Sequence, residues 1–217
     1  MLFDPSPEAI AQSLIAAALI ILVSFPVHEF SHAWAAYRLG DSTARYQGRM
    51  TLDPRVHFDP IGGGLLVISA LVGVGIGWAK PTPVNPYNLR YGRRGESLVA
   101  LTGPISNLAL ALAVAIPLRL GGVSSSILFA PTPDIVSFVL RILVVFVFIN
   151  IALMVFNLLP IPPLDGWKVV LGLVDARTAN SLRQYEQYGF FVVVLLIVIA
   201  PGFIGNLAFT VLRVLLG

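Results

Sequence analysis

The sequence predicts an all-α polytopic membrane protein, with about five to six transmembrane helices and a re-entrant, partly β loop region near its candidate functional site. Of its 217 residues, 57% are hydrophobic and only 12% are charged, whereas a soluble domain usually has about 25% charged residues. The mean hydropathy is +0.86, and the apolar residues occur in runs long enough to cross a bilayer. The sequence contains no cysteine, which excludes disulfides and thiolate metal ligands.

We expect residues 1–217 to form a single transmembrane domain, with a core at about 9–175 and C-terminal helices at about 178–217. No segment is both polar enough and long enough to predict a separate soluble domain. The net charge of +3 is small, and the basic residues lie near predicted membrane ends. They therefore indicate topology and not a nucleic-acid surface. The N-terminus lacks the basic start of a secretory signal, so we expect the first apolar run to be retained.

The membrane helices are predicted from the apolar runs in chain order. The runs lie at about 9–37, 96–120, 134–159 and 187–216. Pro26 should disturb the first helix locally, because proline cannot donate a backbone hydrogen bond. Pro201-Gly202 interrupts the last run, which therefore predicts either one kinked span or two short helices.

The remaining segments are predicted from their glycines and their charges. Residues 38–60 are polar and turn-rich, and they include stretches that could form short strands. Three regions, 38–55, 80–94 and 168–183, carry 11 of the 14 Lys and Arg residues. Because basic residues mark the cytoplasmic side, we expect all three regions there. Residues 61–78, with six glycines, must then leave and return on one side, which favours a re-entrant loop; an ordinary 18-residue transmembrane helix is the alternative.

The most informative motif is His28-Glu29-Phe30-Ser31-His32, which lies inside the first apolar run. On a helix, His28 and His32 project from the same face, so that both can bind one zinc ion. Glu29 is placed to take a proton from a zinc-bound water. Charged and polar groups are unfavourable inside a bilayer, so this cluster indicates a functional site. The alternative is a chance match in which the histidines are merely packed or exposed.

A catalytic zinc usually has three protein ligands and one open position. The third ligand must be another histidine or a carboxylate, since the chain has no cysteine. Asp165 directly follows a long apolar helix and a proline-rich stretch, which could aim its carboxylate inward. Its alternative role is to cap the helix that follows. His57, in the polar stretch RVHFDP, is the other candidate ligand.

Together these residues resemble the site-2 protease family of intramembrane zinc metalloproteases. HEFSH matches the HExxH motif of that family, and NLLPIPPLDG (157–166) resembles its Asn-x-x-Pro and Asp-Gly segment. GPISN (103–107) resembles the motif found between those two. GWAKPTPVNP (77–86) resembles a loop in small members that lack PDZ or CBS domains. The matches occur in the order found in the family and cover about residues 25–170.

The resemblance implies a function and a role for each residue. His28, His32 and Asp165 would bind one Zn²⁺ per chain, and Glu29 would be the general base. Asn107 and Asn157 are candidates to hold the oxyanion or the substrate backbone, although asparagine in membrane helices often only joins helices. The expected activity is endopeptidase cleavage in or near transmembrane segments of membrane-protein substrates.

Further expectations concern access and location. His57 could line a water path from the cytoplasm together with Asp53 and Asp59, or all three could be interfacial loop residues. The polar, glycine-rich segments 45–64 and 77–88 could offer a strand edge to an extended substrate. We expect an integral protein of a prokaryotic cell membrane with its active site toward the cytoplasm.

Two other functional classes fit part of the sequence. A metal-binding or metal-transport membrane protein could use the same ligands, but it would need acidic residues along a path through both sides of the membrane. A membrane chaperone or inactive protease could hold helices without cutting them. The intact Glu29 favours the peptidase over both.

Overall fold

The structure is a computed structural model that describes residues 7–71, 77–132, 134–200 and 202–217. Within these ranges it is all-helical and contains no strand. The α-helices are α1 (Pro7–Leu19), α2 (Phe25–Arg38), α3 (Thr43–Tyr46), α4 (Pro54–His57), α5 (Pro60–Leu71), α6 (Arg93–Leu120), α7 (Ile135–Asn157), α8 (Asp165–Leu173), α9 (Ala176–Arg183), α10 (Gly189–Ile199) and α11 (Phe203–Leu216). The predicted all-α class is confirmed for these residues.

The first span is one continuous helical stretch with a local irregularity in its middle. Helices α1 and α2 are joined by a π-helical turn at Ile20–Ser24, and Pro26 lies at the start of α2. In a π turn, each backbone N–H group bonds to the carbonyl five residues earlier instead of four. This change of pairing accommodates a proline, which has no N–H group. The predicted disturbance of the helix by Pro26 is confirmed. It places His28 and His32 on the regular helix that follows.

The two long central helices begin and end within a few residues of the predicted bounds. Helix α6 follows Gly92, whose φ of 53° is a conformation that glycine adopts easily. Helix α7 begins after Asp134, whose carboxylate accepts the backbone N–H groups of Val136 and Ser137. These two bonds satisfy N–H groups that have no partner within the helix.

Four helices among the described residues are long and apolar enough to cross a membrane. They cover Ile10–Arg38, Arg93–Leu120, Ile135–Asn157 and Ala176–Ile199. Helices α5 and α11 are apolar but have only 12 and 14 residues, and a span needs about 20. The last apolar run forms the two short helices α10 and α11, and Gly202 between them has a φ of 85°. The chain is thus a multi-pass membrane protein, and the figure of five to six spans stays a prediction.

The short strands expected in residues 38–60 are not found; these residues form α3, α4 and turns instead. Local hydrogen bonds explain this, since Arg49 N–H donates to the carbonyl of Ala44 and Arg55 N–H donates to the carboxylate of Asp53. Backbone groups that pair locally are not available to a strand partner.

The segment 61–78, expected to be re-entrant, begins with α5 and has its two ends side by side. Lys80 N–H donates to the carbonyl of His57 at 2.9 Å. A Cβ atom on Gly62 would lie 2.3 Å from the carbonyl oxygen of Trp78, so glycine allows this close approach. Residues 72–76, where the segment would turn back, lie outside the described residues. The proximity of the ends is compatible with a re-entrant loop.

Helix α6 connects two different packing regions. Its C-terminal half packs with α7 and α11 around an apolar cluster that includes Ala111, Val147 and Leu212. Its N-terminal half packs against α2 and α8, where Ser97 Oγ donates to the carbonyl of Lys168 at 2.8 Å. Arg93 donates to carbonyl groups at the end of α8. These contacts fix α8, and with it Asp165, relative to α2.

Candidate metal centre

Two histidines of α2 and the first residue of α8 meet inside the bundle. The Nε2 atoms of His28 and His32 each lie 3.2 Å from Oδ2 of Asp165, and they lie 3.0 Å from each other. All three residues are buried, with at most 8% of their surface exposed. Ligand atoms at about 2.0–2.2 Å from a tetrahedral zinc lie about 3.3 Å apart. The three atoms therefore have a spacing that suits one ion.

The hydrogen bonds around the two imidazoles leave three acceptor atoms facing one another. His32 Nδ1 lies 2.9 Å from the carbonyl oxygen of Val99, which can only accept, so the proton is on Nδ1. His28 Nδ1 lies 2.7 Å from Oδ1 of Asn107, which is likewise an acceptor. Both Nε2 atoms then present lone pairs toward Asp165. Such a convergence is unfavourable without a cation, and it is the arrangement that a zinc site requires.

The carboxylate of Asp165 supports the same conclusion. Its Oδ2 atom is buried and, within the part of the chain that the structure describes, has no hydrogen-bond donor. A buried carboxylate oxygen normally accepts hydrogen bonds or binds a metal. The structure does not give Asp165 a capping role, since α8 begins at Asp165 itself and its N-cap residue is Leu164. The donor set of two imidazoles and one carboxylate suits Zn²⁺.

Two glycines allow the helices to approach this closely. A Cβ atom on Gly103 would lie 2.4 Å from Nε2 of His32 and 2.5 Å from Nε2 of His28. A Cβ atom on Gly166 would lie 2.3 Å from the carbonyl oxygen of Leu158, so the start of α8 lies directly against the end of α7. Gly103 thus gives the histidines their space, and Gly166 gives Asp165 its position.

Glu29 lines the same cavity as the three candidate ligands and is held by one residue of another segment. The cavity has a volume of about 370 Å³, and Glu29 is 8% exposed. Thr82 N–H donates to Oε2 of Glu29 at 2.7 Å, and the Thr82 hydroxyl donates to the backbone carbonyl of Glu29 at 3.0 Å. These two bonds fix the carboxylate at the cavity wall, beside the histidines.

Thr82 belongs to an irregular stretch, residues 77–85, which we call the strap. The buried guanidinium of Arg49 donates to the carbonyl groups of Val56, Lys80 and Pro81 and so fastens one end of the strap. Asp41 fastens the other end, because its carboxylate accepts Asn85 N–H at 2.7 Å.

Hydrogen bonds also perturb the ionisation of Asp41. Burial raises the pKa of this carboxyl, but hydrogen bonds from Thr43, Asn85 and Asn88 outweigh burial and hold the pKa below its ordinary value. The carboxylate is therefore ionised at neutral pH and can keep all these bonds. The strap is thus fixed at Arg49, Glu29 and Asp41, and it forms one side of the cavity.

The two asparagines expected at the substrate occupy different places. Asn157 lines the cavity, and its amide donates to the carbonyl of Leu153 on its own helix at 2.9 Å. Asn107 is fully buried behind His28, and it donates to Oδ1 of Asn150 at 3.0 Å. The structure therefore brings Asn157 to the cavity and places Asn107 beside a candidate ligand instead.

The loop residues proposed for a water path are engaged elsewhere. His57 is 1% exposed, lies 2.7 Å from the carbonyl of Thr51 through Nε2, and is not among the residues that line the cavity. It also lies outside the cluster of candidate ligands. Asp53 accepts the N–H of Arg55, and Asp59 accepts the N–H groups of Ile61 and Gly62. The two aspartates therefore begin α4 and α5.

Three residues of this region were not among the candidates from sequence. Arg49 lies in no motif, and Thr82 lies in the GWAKPTPVNP segment without being distinguished from its neighbours there. Both residues matter through contacts with residues distant in sequence. Asn150 had a usable signal: it is a polar residue within an apolar helix, and it precedes Asn157 by two helical turns.

Comparison with known proteins places this chain in a family. The model of peptidase family M50 matches residues 120–200. YwhC of Bacillus subtilis, named as a zinc metalloprotease, is 36% identical over 187 residues, which are 85% of this chain and 80% of that protein. Rip2 of Mycobacterium tuberculosis H37Rv, which carries the same kind of name, is 36% identical over 183 residues, which are 83% of this chain and 65% of Rip2.

A third relative extends the same pattern. Rip2 of Mycolicibacterium smegmatis is 33% identical over 178 residues, which are 82% of this chain and 64% of that protein. The chain thus spans most of YwhC and slightly less than two thirds of the mycobacterial proteins. No solved structure matches the chain significantly.

Proposed function

The chain belongs to peptidase family M50, the site-2 protease family, and from that membership we propose that it is an intramembrane zinc endopeptidase. Its family and its relatives identify it as a zinc metallopeptidase of the membrane. The proposal is that it hydrolyses peptide bonds in or near transmembrane segments of membrane-protein substrates. We also propose the residue roles that follow.

One observation carries the proposal: three atoms that are spaced to bind one metal ion, and the carboxylate of Glu29, lie at one cavity among helices apolar enough to cross a membrane. His28, Glu29 and His32 lie on the first of these helices, and Asp165 follows another. Ionisable groups at such a position are energetically costly, so their presence indicates a functional site. A peptidase uses all four groups, whereas simple metal binding leaves no role for Glu29.

The residue roles follow from the donor set. His28, His32 and Asp165 would hold Zn²⁺, which when bound would supply a Lewis acid and lower the pKa of a bound water to about 7. Glu29 accepts the proton of the attacking water and passes it to the leaving amine as the peptide bond breaks. Thr82 keeps the Glu29 carboxylate at the cavity wall through its N–H group.

Asn157 is the side chain that we propose as a hydrogen-bond donor to the substrate. It lines the cavity, and only one of its two amide hydrogens is needed for the bond to Leu153. The second hydrogen can donate to the substrate carbonyl oxygen as it gains negative charge. Asn107, whose amide is already paired with His28 and Asn150, has a positioning role in this account.

The shape and lining of the cavity favour an extended apolar peptide. Phe25, Leu153 and Phe156 are apolar residues that line the cavity together with the strap. A helical peptide bond is shielded by its own hydrogen bonds, so the substrate has to unwind before it can be cut. The irregular backbone of residues 77–85 offers it new backbone partners, although Pro81 and Pro83 carry no N–H group.

Two basic residues near the cavity indicate which side of the membrane it faces. The strap and α8 carry Lys80 and Lys168, and the basic regions around them mark the cytoplasmic side. We therefore propose an active site toward the cytoplasm of a prokaryotic cell membrane, a re-entrant path for residues 61–78, and a catalytic core within about residues 9–175.

The test is cleavage of a single-span membrane protein by the purified protein in liposomes. Wild type should cleave it, and the metal chelator 1,10-phenanthroline should stop cleavage. Glu29→Gln should lower kcat by about 10²–10⁴-fold while one zinc per chain is retained. Glu186→Gln is the matched control, since Glu186 accepts a bond from Trp167 away from the cavity, and glutamine can still accept it.

The outcomes separate the possible functions. Undiminished cleavage by Glu29→Gln would remove the general-base role of Glu29. Zinc movement across the liposome membrane without any cleavage would instead favour a metal transporter.

A further inference from the structure

A chain of three hydrogen bonds runs from the backbone of α7 to His28. Asn150 Nδ2 donates to the carbonyl of Phe146 at 2.9 Å, and Asn107 Nδ2 donates to Oδ1 of Asn150 at 3.0 Å. Asn107 Oδ1 then lies 2.7 Å from Nδ1 of His28. Both asparagines are fully buried. We call this series of bonds the amide relay.

The direction of the amide relay is fixed at its far end. The carbonyl of Phe146 can only accept, so the NH₂ group of Asn150 must face it and its oxygen must face Asn107. Asn107 must then donate from its own NH₂ group to this oxygen, which turns the oxygen of Asn107 toward His28. The reverse orientation would place oxygen against oxygen in a buried site, which is strongly unfavourable. His28 therefore donates from Nδ1.

From this order we infer that Asn150 is a positioning residue for zinc, acting through Asn107 to hold His28 in the tautomer whose Nε2 lone pair faces Asp165. The inference depends on the proposed zinc site. His32 reaches the same tautomer more directly, because its Nδ1 donates to the carbonyl of Val99. Groups that orient a ligating imidazole raise metal affinity by about 10–100-fold.

The simpler role for Asn150 is to join α6 to α7, as polar side chains do in membrane bundles. The two roles differ in what a substitution changes. A joining residue contributes to the stability of the bundle with or without metal. A positioning residue contributes to zinc affinity and to the geometry of the bound metal.

Three substitutions and one control separate these roles. Asn150→Leu keeps the approximate volume and removes the relay. Asn150→Ser also removes the relay but disturbs folding less. A serine hydroxyl can bond to the Phe146 carbonyl, but it is too short to reach Asn107. Asn150→Asp keeps an oxygen that can accept from Asn107, and its protonated carboxyl can also donate to the Phe146 carbonyl. Ile151→Ala, at a fully buried neighbour on α7, removes packing alone.

The measurements are zinc affinity by competition with a chelator in detergent, and the visible absorption bands of the Co²⁺-substituted protein. Asn150→Leu and Asn150→Ser should each weaken zinc binding by about 10-fold and shift the cobalt bands. Asn150→Asp should stay within about threefold of wild type. Ile151→Ala should lower the melting temperature and leave zinc affinity and the cobalt bands unchanged. In an Asn107→Leu background, Asn150→Leu should cause no further loss.

The inference is overturned if Asn150→Ser binds zinc as tightly as wild type with unchanged cobalt bands. It is also overturned if Ile151→Ala weakens zinc binding as much as Asn150→Ser does. If Asn150→Leu does not fold, Asn150→Ser and Asn150→Asp decide between the two roles. Wild type that binds no zinc at all would contradict the proposed function itself, so the two failures are distinct.

Discussion

The two regions that meet on α6 are held together in different ways. The region shared with α7 and α11 is an apolar cluster of tightly packed side chains such as Ala115, Val144 and Leu212. The region shared with α2 and α8 has a smaller apolar cluster that includes Ala36 and Val99. Its functional side chains are also held by single hydrogen bonds, such as those from His28 to Asn107 and from His32 to Val99. Packing in a membrane has no direction, whereas each of these polar groups has one correct partner. Changes in the first region should therefore alter stability, and changes in the second should alter metal binding and turnover.

The largest effect should follow from losing the ligand that α8 supplies. Asp165→Ala removes the only carboxylate in the cluster of candidate ligands among the described residues. We expect loss of stoichiometric zinc and of detectable cleavage, because two imidazoles alone bind zinc weakly. Metal analysis of the purified protein measures this directly. His57→Ala is the control and should retain one zinc per chain; zinc retained by Asp165→Ala and lost by His57→Ala would reverse the assignment.

The next effect concerns the space that Gly103 leaves for the two histidines. Gly103→Ala would place a methyl group 2.4 Å from His32 Nε2, so an imidazole must move. We expect zinc affinity to fall by about 10–100-fold, as for other changes that displace a ligand. Gly205→Ala is the matched control on α11, because a Cβ atom there meets nothing within 4 Å. Equal zinc affinity in the two variants would show that the site is looser than described.

A substitution in the apolar cluster should lower stability and leave zinc affinity unchanged. Leu212 is fully buried, and Leu212→Ala leaves a cavity that lowers the free energy of unfolding by about 2–5 kcal/mol. Zinc affinity of the folded protein should not change. Reversible unfolding in mixed detergent, followed with and without zinc, measures both quantities. A Leu212→Ala protein that is stable but binds zinc poorly would break the distinction between the regions.

The smallest effect should come from the strap. Thr82→Val removes the hydroxyl bond to the Glu29 carbonyl and keeps the N–H bond to the Glu29 carboxylate. One such bond contributes about 0.5–1.5 kcal/mol, so we expect kcat to fall by about threefold with zinc content unchanged. Thr82→Ser keeps the hydroxyl and should restore the rate. If kcat is unchanged in Thr82→Val, the hydroxyl does not help to position Glu29.

Local chemistry explains which parts of the fold were predictable from sequence. Asp134 and Gly92 mark the starts of α7 and α6 through capping and backbone freedom, and Pro26 disturbs its helix as a missing N–H group requires. The prediction of strands in residues 38–60 was wrong because Asp53 and Arg49 form local hydrogen bonds. The polarity of the segment does not reveal these bonds.

The candidate site was predictable where a motif fixes the spacing, and not where packing decides the contact. His28 and His32 share a face because they are one helical turn apart, and Asp165 was identified by the loop that contains it. The partner of Asn107 could not be inferred, since the approach of α7 to α6 selects Asn150. Thr82 likewise reaches Glu29 only because Arg49 and Asp41 fasten the strap at both ends.

The most direct test of this account is the position of the metal, located by anomalous diffraction at the zinc absorption edge. We predict one peak per chain, at about 2.0–2.2 Å from Nε2 of His28, Nε2 of His32 and a carboxylate oxygen of Asp165. A zinc-loaded protein without a peak there, or with its peak beside His57, would contradict the account.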